Sequence, residues 1–283
     1  MFPIDIELLL PYCTLENEPD ILRETIKANI IARYASIFRV SRILLYRSRR
    51  KKECFEPSKR FALLLNVFRT PPYLRRKIYG KRKELKYLGL AYPLQSPTHT
   101  VKPSPREGEL REGLVEKVER GRILVDIGLR APTWVEASET NRIKVGDVFL
   151  FRVTSAHPLK VERIESSDEW IGYEVKNVGY LHSYLKRVAG TRAVIGTSRL
   201  GEPIWENLRR VSEIMRTSGW KITLVFGEPY RGLYDIAKEL SIDVNEYFNG
   251  IYNFVMNQGT RTVRTEEAIP IVLSVVSILK FSQ

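Results

Sequence analysis

Lys221–Leu279 reads KITLVFGEPYRGLYDIAKELSIDVNEYFNGIYNFVMNQGTRTVRTEEAIPIVLSVVSIL, and this stretch carries most of the fold signals in the chain. The apolar run Ile222–Phe226 predicts a buried strand, and a loop with two glycines leads from it into a helix at Leu233–Leu240. A polar loop, Asn253–Glu267, then precedes an apolar closing helix at Ala268–Leu279. Because ligands usually bind at loops beyond the carboxyl ends of strands in an open α/β sheet, we expect these two loops to hold one small molecule.

Composition places the chain among basic, globular proteins. It has 283 residues, 43% of them hydrophobic, which is enough for a large core in one or two domains. We expect neither a membrane span nor a secretory signal, since no apolar run is long enough and the start lacks a basic region followed by an apolar stretch. Having only Cys13 and Cys54 argues against a disulfide framework and favours a reducing, cytoplasmic setting. The net charge of +13 favours a polyanionic partner, although a basic surface without such a partner is the alternative.

The amino-terminal part alternates strands and helices. Ile4–Leu10 predicts a strand that stops at a proline. Asp20 is a suitable cap for a helix over residues 21–38, and a strand is predicted at Arg42–Tyr46. Apolar residues at helical spacing predict a further helix at Pro57–Arg69.

A Pro/Ser/Thr-rich stretch at Pro93–Pro105 predicts a linker, and the pattern after it is typical of an all-β domain. Alternating apolar and polar residues predict five short strands, at Arg111–Val118, Gly121–Gly128, Ala131–Ala137, Val145–Val153 and Trp170–Val175. Five such strands favour a small barrel of the OB type, whose face and loops bind single-stranded nucleic acid. Trp134 and Phe151 could stack on bases there, or could fill the barrel core.

The α/β pattern resumes after the barrel. A helix or turn is predicted at Leu181–Ala189, a strand at Arg192–Ile195 and a helix at Trp205–Thr217. Gly196–Gly201 is predicted to form a loop after the strand. Parallel strands joined by helices indicate an α/β domain.

Two basic tracts precede the barrel. Arg47–Lys52 is a short basic loop, and Pro71–Leu88 interleaves cations with three tyrosines. Cations can hold phosphates and aromatic rings can stack on exposed bases. Alternatively, the cations are simply solvated and the tyrosines pack on the core. The candidate RNA-binding residues are Arg49, Arg50, Lys51, Arg75, Arg76, Lys77, Lys81, Arg82 and Trp134.

Several segments resemble one protein family. VFGEPYRGL at Val225–Leu233 is similar to the second motif of SPOUT-superfamily methyltransferases, and NFVMNQGTRTVRTEEA at Asn253–Ala268 is similar to the third. The long run Gln258–Ala268 points to the branch of RNA uridine N3-methyltransferases of archaea and eukaryotes. The helix and strand within Asn29–Tyr46 resemble the first motif, and Pro72–Pro97 resembles the same branch.

The resemblance implies an α/β fold: a SPOUT-type knotted parallel-sheet domain with an inserted OB-like β-barrel. The expected boundaries are 1–95 for the first part of the methyltransferase domain, 96–176 for the barrel, and 177–283 for the second part with the knot. It also implies an S-adenosylmethionine-dependent methyltransferase that acts on N3 of a uridine in ribosomal RNA and forms a homodimer through the knot region. A non-catalytic RNA-binding or ribosome-assembly protein, and a methyltransferase for another base or for tRNA, are the alternatives.

Motifs for other cofactors are missing from the sequence. It has neither a Walker-type loop nor a G-x-G-x-x-G after a strand, and its histidines and cysteines lack metal-ligand spacing, so we expect no metal. The resemblance implies that loops at Thr197–Gly201, Gly227–Gly232 and Asn253–Thr265 surround S-adenosylmethionine. Thr265 either contacts this cofactor or caps the last helix. The expected cofactor-binding residues are Thr197, Ser198, Arg199, Gly201, Gly227, Glu228, Gly232, Asn253, Gly259 and Thr265.

Methylation of uridine N3 requires that nitrogen to lose its proton, and a nearby cation favours the resulting anion. The resemblance implies that an arginine on the first helix faces the substrate phosphate or the reacting base. Arg33 holds that position, with an ordinary surface ion pair as the alternative. Arg261 and Arg264 are the other candidate catalytic cations, and Glu228 could orient the base or accept a proton. His182 could act as a general base, although a surface histidine is the simpler interpretation.

Overall fold

The computed structural model describes residues 4–49, 55–99 and 104–281. These residues divide into two compact units. The α/β unit takes in residues 4–49, 55–66, 84–92 and 173–281, and the barrel unit takes in residues 67–83, 93–99 and 104–172. Within these ranges no helix combines the length and the apolar character needed to cross a membrane.

The described residues form eleven strands and eight α-helices. The strands are β1 (Asp5–Pro11), β2 (Arg42–Arg47), β3 (Leu110–Glu119), β4 (Arg122–Asp126), β5 (Thr133–Glu136), β6 (Val148–Ala156), β7 (Leu159–Ile164), β8 (Glu174–Tyr180), β9 (Ala193–Pro203), β10 (Lys221–Val225) and β11 (Gly250–Asn253). The helices are α1 (Ile21–Ile37), α2 (Phe55–Arg69), α3 (Pro72–Tyr79), α4 (Leu181–Val188), α5 (Leu208–Thr217), α6 (Leu233–Leu240), α7 (Val244–Tyr247) and α8 (Thr265–Phe281).

Six strands of the α/β unit form one parallel sheet in the order β11-β9-β10-β1-β2-β8. The sheet confirms the predicted parallel α/β pattern. Leu9 and Val225 of its central strands share a buried core with Leu185 of α4 and Ile236 of α6. Burial of this kind explains why β1 and β10 are almost continuously apolar rather than alternating.

Helix α1 begins where the sequence predicts. The Asp20 carboxylate accepts a hydrogen bond from the Arg23 backbone N–H at 2.9 Å, which satisfies one of the free donors at the helix start. The helix then packs against α8, so the first and last helices of the α/β unit are neighbours.

The barrel unit contains an antiparallel sheet in the order β5-β4-β3-β6-β7, and β5 also contacts β7, so the sheet nearly closes. Its core includes Val115, Ile123, Val135 and Phe151. Phe151 is therefore a core residue, whereas the ring of Trp134 on β5 is exposed. Of the two roles that the sequence leaves open, Phe151 therefore fills the barrel core, whereas the exposed ring of Trp134 could stack on a base.

The prediction for the fifth barrel strand is wrong. The chain at Glu174–Tyr180 forms β8 of the parallel sheet, with Glu174 opposite Arg42 of β2. The barrel is completed instead by β7, which pairs with β6. β7 gives a weak signal in the sequence, because Lys160, Glu162 and Arg163 are exposed and its apolar residues are only half-buried.

The predicted loop at Gly196–Gly201 lies within β9 instead of following it. Against β11, Gly196 pairs with Ile251 and Glu202 pairs with Tyr252, so the residues between them bulge out of register. A bulge re-aims the side chains of a strand and ends its regular pairing, as at many functional sites.

Candidate active site

Three segments at neighbouring strands enclose a cavity of about 350 Å³. We call them the first loop (Thr197–Gly201), the second loop (Gly227–Gly232) and the third loop (Asn253–Thr265). The first loop is the bulged segment within β9, and the other two adjoin β10 and β11; these three strands lie side by side in the sheet. The second and third loops follow the carboxyl ends of their strands, where open α/β sheets usually bind ligands.

The cavity brings together most of the residues that the sequence assigns to the cofactor. Its lining includes Thr197, Ser198, Arg199, Gly227, Glu228, Gly232, Asn253 and Thr265. Gly201 and Gly259 are not among the lining residues. Apolar surface comes from Phe226, Leu233 and Val272, so polar loop atoms and apolar side chains face the same space.

Asn253 joins the first and third loops. Its side-chain amide donates a hydrogen bond to the Arg199 carbonyl at 3.0 Å, and its side-chain oxygen accepts one from the Val255 backbone N–H at 2.9 Å. The Thr197 hydroxyl likewise donates to the Val225 carbonyl at 3.1 Å. These side chains therefore fix the loops to one another and to the end of β10.

Two of the loop glycines allow close backbone packing. A Cβ atom at Gly201 would lie 2.6 Å from the Ile251 carbonyl oxygen, and one at Gly227 would lie 3.1 Å from the Arg231 carbonyl oxygen. Real Cβ atoms do not tolerate the first distance, so glycine is required where the bulge of β9 meets β11.

Thr265 is the first residue of α8, so the cap position falls one residue earlier than the sequence predicts. The backbone N–H of Arg264, at that position, donates to the Glu267 carboxylate at 2.8 Å. Thr265 itself is buried and lines the cavity.

The Glu228 carboxylate is buried and already engaged. Its side chain is 0% exposed, and it accepts hydrogen bonds from the Arg49 guanidinium at 2.8 and 3.1 Å and from the Ser48 hydroxyl. Arg49 also binds the Glu16 carboxylate at 2.7 Å. The arrangement anchors the second loop to the end of β2. The sequence does not reveal this anchor, because Arg49 lies in a basic run that predicts RNA binding and its contact with Glu228 spans distant parts of the chain.

Ligand-type atoms of Cys13, Glu16 and Glu228 lie within 4.8 Å of one another, but Cys13 is disulfide-bonded, contrary to the expectation from the sequence, and its sulfur is not a free thiolate. The Arg49 guanidinium contacts both carboxylates, so a cation is already supplied by the protein. We assign no metal to this group.

The four candidate catalytic side chains are not all at the cavity. Arg261 lines it together with Glu228, and the structure gives the Arg261 guanidinium no ion pair among the described residues. Arg264 binds the Glu18 carboxylate at 3.3 Å, outside the cavity lining. Arg33 is half-buried on α1 and does not line the cavity either. The ring of His182 packs edge-on against Tyr247, also outside the lining.

A buried ionic cluster connects the third loop and α8 with α1. The Lys27 ammonium, on α1, lies 3.2 Å from the Glu18 carboxylate and 3.4 Å from that of Glu266. Arg264 binds the same Glu18. Buried charges need such partners, because the cost of removing them from water is several kcal/mol per ion. The cluster fixes the end of the third loop against the helix that carries Arg33.

In the barrel unit, Trp134 presents an exposed ring with cations over it. The Arg122 guanidinium lies 4.3 Å from the ring centroid and the Lys117 ammonium lies 5.8 Å from it. This combination of aromatic surface and positive charge is typical of surfaces that bind single-stranded nucleic acid.

Some cations of the basic tract in the barrel unit bind other groups of the protein, and others are exposed to solvent. The Lys77 ammonium binds the Asp126 and Glu116 carboxylates at 2.5 Å, and their hydrogen bonds raise the pKa of Lys77. The Arg75 guanidinium donates to the carbonyls of Thr70 and Phe68. Other cations of the tract, Arg76, Lys81 and Arg82, are exposed. Two further RNA-binding candidates, Arg50 and Lys51, lie outside the described residues.

The chain is similar to several known proteins. It matches a family model described as "Putative RNA methyltransferase" over residues 5–276. An uncharacterized protein of Haloarcula marismortui is 30% identical over 272 residues, which cover 93% of this chain and 95% of that protein. A 28S rRNA (uridine-N(3))-methyltransferase of Drosophila melanogaster is 26% identical over 308 residues, covering 96% of this chain and 61% of that protein. Its counterpart in Homo sapiens is 25% identical over 315 residues, covering 96% and 77% respectively.

Proposed function

The chain belongs to the RNA methyltransferase family that it matches over residues 5–276, and from this we propose that it methylates N3 of a uridine in ribosomal RNA, with S-adenosylmethionine as donor. The observation that carries the proposal is the meeting of the first, second and third loops around one cavity. The choice of base and atom is supported by the eukaryotic relatives, which are named as 28S rRNA uridine-N3 methyltransferases.

The cavity suits a nucleoside-like cofactor. Its volume of about 350 Å³ lies in the range of small-molecule sites, and it combines apolar side chains with backbone and hydroxyl groups of three loops. Thr197, Ser198, Gly227, Asn253 and Thr265 are the residues that would hold the donor. When bound, S-adenosylmethionine supplies a methyl group that its sulfonium has already activated.

The protein's own task is to position the target base and to favour loss of its N3 proton. Arg261 is the cation that we assign to this step, since it lines the cavity and a positive charge beside N3 lowers the pKa of that nitrogen. We assign Glu228 to positioning, because its oxygens already accept hydrogen bonds from Arg49 and Ser48. Arg264 holds the third loop through Glu18.

We also propose a homodimer in which Arg33 acts at the cavity of a second copy. Arg33 does not line the cavity of its own chain. A groove of about 460 Å³ between α1 and α8 is lined by Ile26, Ile30 and Pro270 together with charged side chains, and Ile37 of α1 is also exposed. A second copy would cover this apolar surface, as the resemblance to knotted methyltransferases implies. The trefoil knot and the OB topology of the barrel are part of the same proposal.

The test is a methyl-transfer assay with labelled S-adenosylmethionine and large-subunit ribosomal RNA transcribed in vitro, followed by mass spectrometry of the nucleosides. We expect 3-methyluridine from the wild-type protein. Arg261→Ala should lower the turnover by roughly 10²-fold or more, as for other single groups that stabilise developing charge, with little change in donor affinity. Donor binding without any methylated nucleoside would reject the RNA substrate, and no donor binding would reject the catalytic assignment.

A further inference from the structure

The two most exposed large hydrophobic side chains of the described part of the chain lie at the same cavity. Leu200 is 74% exposed and belongs to the first loop, and Tyr230 is 70% exposed and belongs to the second. Both line the cavity of the candidate active site. Single exposed apolar residues are ordinary on protein surfaces, but two of them on separate loops around one cavity indicate a surface that a ligand covers.

The backbone on each side of these residues is held in place. The Glu228 backbone N–H donates to the Arg231 carbonyl at 2.9 Å, which closes a tight turn with Tyr230 inside it. The Leu200 backbone N–H donates to the Ser198 hydroxyl at 3.1 Å, and the preceding carbonyl accepts the bond from Asn253. Both side chains are therefore presented by loops that are fixed without them. No hydrogen bond of the Tyr230 hydroxyl is found within the described residues.

The charges around these side chains favour RNA as the ligand. Arg199 and Arg261 are exposed and line the same cavity. Cations beside an exposed aromatic ring form the combination that binds single-stranded nucleic acid, since the cations attract the phosphates and the ring stacks on a base. A uridine can be methylated at N3 only when its pairing edge is free, so the target base must be unpaired or extruded from a helix.

We propose that Tyr230 and Leu200 form the contact surface for the target base: Tyr230 stacks on the face of an unpaired pyrimidine, and Leu200 packs against its apolar edge. The inference rests on the proposed function, because it assigns the base of the same RNA substrate to the open side of the cavity. Tyr230 and Leu200 are substrate-contact residues in this account, separate from the residues that would hold the methyl donor.

The first test compares methyl transfer by Tyr230→Ala, Tyr230→Phe and Leu200→Ala proteins. Loss of one stacking contact should raise the KM for large-subunit ribosomal RNA about 5- to 150-fold in Tyr230→Ala, whereas Tyr230→Phe should stay close to wild type. Calorimetry should give all three variants the wild-type affinity for S-adenosylmethionine. Tyr92→Ala is the matched control, because Tyr92 is 67% exposed and lies outside the cavity lining. An unchanged KM in Tyr230→Ala, equal damage by Phe and Ala, or weakened donor affinity would overturn the proposal.

A second test does not depend on methyl transfer. Oligouridylate that contains 4-thiouridine is cross-linked to the protein by ultraviolet light in the presence of S-adenosylhomocysteine, and the labelled peptide is identified by mass spectrometry. We expect cross-links at Tyr230 or Leu200, and their loss in Tyr230→Ala. Cross-links confined to other segments, or none at all, would overturn the base contact. Cross-links at these loops in a protein that methylates no RNA would reject the proposed function and retain the contact.

Discussion

Replacement of Arg49 by methionine should destabilise the α/β unit and weaken binding of the methyl donor. The Glu228 side chain is 0% exposed, and the Arg49 guanidinium donates to it from Nη2 at 2.8 Å and from Nε at 3.1 Å. Methionine retains much of the apolar stem of arginine but none of its donors. The variant therefore leaves a buried carboxylate at the base of the second loop with the Ser48 hydroxyl and the more distant Arg231 as its remaining partners.

Removal of one partner from a buried ion pair costs about 3–5 kcal/mol. Arg49 is 14% exposed and Ser48 still donates to the carboxylate, so we expect the lower end, about 3 kcal/mol. In domains of this size each kcal/mol shifts Tm by roughly 2–4 °C, which gives a decrease of roughly 6–12 °C. The affinity for the donor should fall as well, because Gly227 and Glu228 belong to both the anchored loop and the cavity.

The assay is a double-mutant cycle measured by thermal and urea unfolding. Arg49→Met, Glu228→Gln and the double variant are compared, and the double variant should lose less stability than the two single losses added together. Arg142→Met is the control, because its ion pair with Glu139 is exposed on both sides and should contribute nothing measurable. Additivity of the single effects to within about 0.5 kcal/mol would refute the coupling.

Three other results should be measurable. Co-expression of Arg33→Ala and Arg261→Ala chains should restore about a quarter of wild-type methyl transfer, because random pairing makes about half of the dimers mixed and each mixed dimer has one intact site of two. Activity no higher than that of either variant alone would contradict the action of Arg33 in a second copy. Trp134→Ala should weaken binding of oligouridylate by about 1–3 kcal/mol in fluorescence anisotropy at fixed salt, and an unchanged Kd would exclude stacking on this ring. Burial lowers the pKa of His99 from 6.5 to about 4, so the unfolded chain binds a proton at a higher pH than the folded protein does. The barrel unit should therefore lose stability as the pH falls from 6.5 to about 4. His99→Gln should flatten that part of the stability profile, and an identical slope would show that other groups cause it.

The elements of the α/β unit are predictable where local signals agree. Leu233–Leu240 is helical as predicted, because its apolar residues recur at helical spacing after a glycine. The strand β10 is one residue displaced from its predicted position, which is the usual uncertainty of element ends. The third loop is predictable as a segment at the cavity because polar residues, glycine and threonine follow a strand directly.

Pairings between distant segments could not be predicted. β8 lies next to β2 in the sheet although about 130 residues separate them, and its sequence does not identify that partner. The bulge of β9 depends on its pairing with β11, so Gly196–Gly201 taken alone resembles an ordinary loop. Arg49 has the same limitation: within its own segment it is one cation of a basic run, and only its contact with the distant Glu228 indicates an anchor.

Many of the contacts that hold the three loops in place involve residues outside the cavity lining. A mutation that weakens donor binding therefore need not lie at the donor site. Arg49 holds the second loop from the end of β2, Lys27 and Glu18 hold the end of the third loop from the first helix and the segment before it, and Asn253 joins the third loop to the first. These contacts form within the folded protein before any ligand enters, so the ordering of the loops is a cost of folding and not of binding. Donor affinity should therefore depend on residues that never touch the donor. If a variant loses donor affinity and stability together, the replaced residue is an anchor of the loops. If a variant loses activity while its stability and donor affinity stay intact, the replaced residue acts on the RNA.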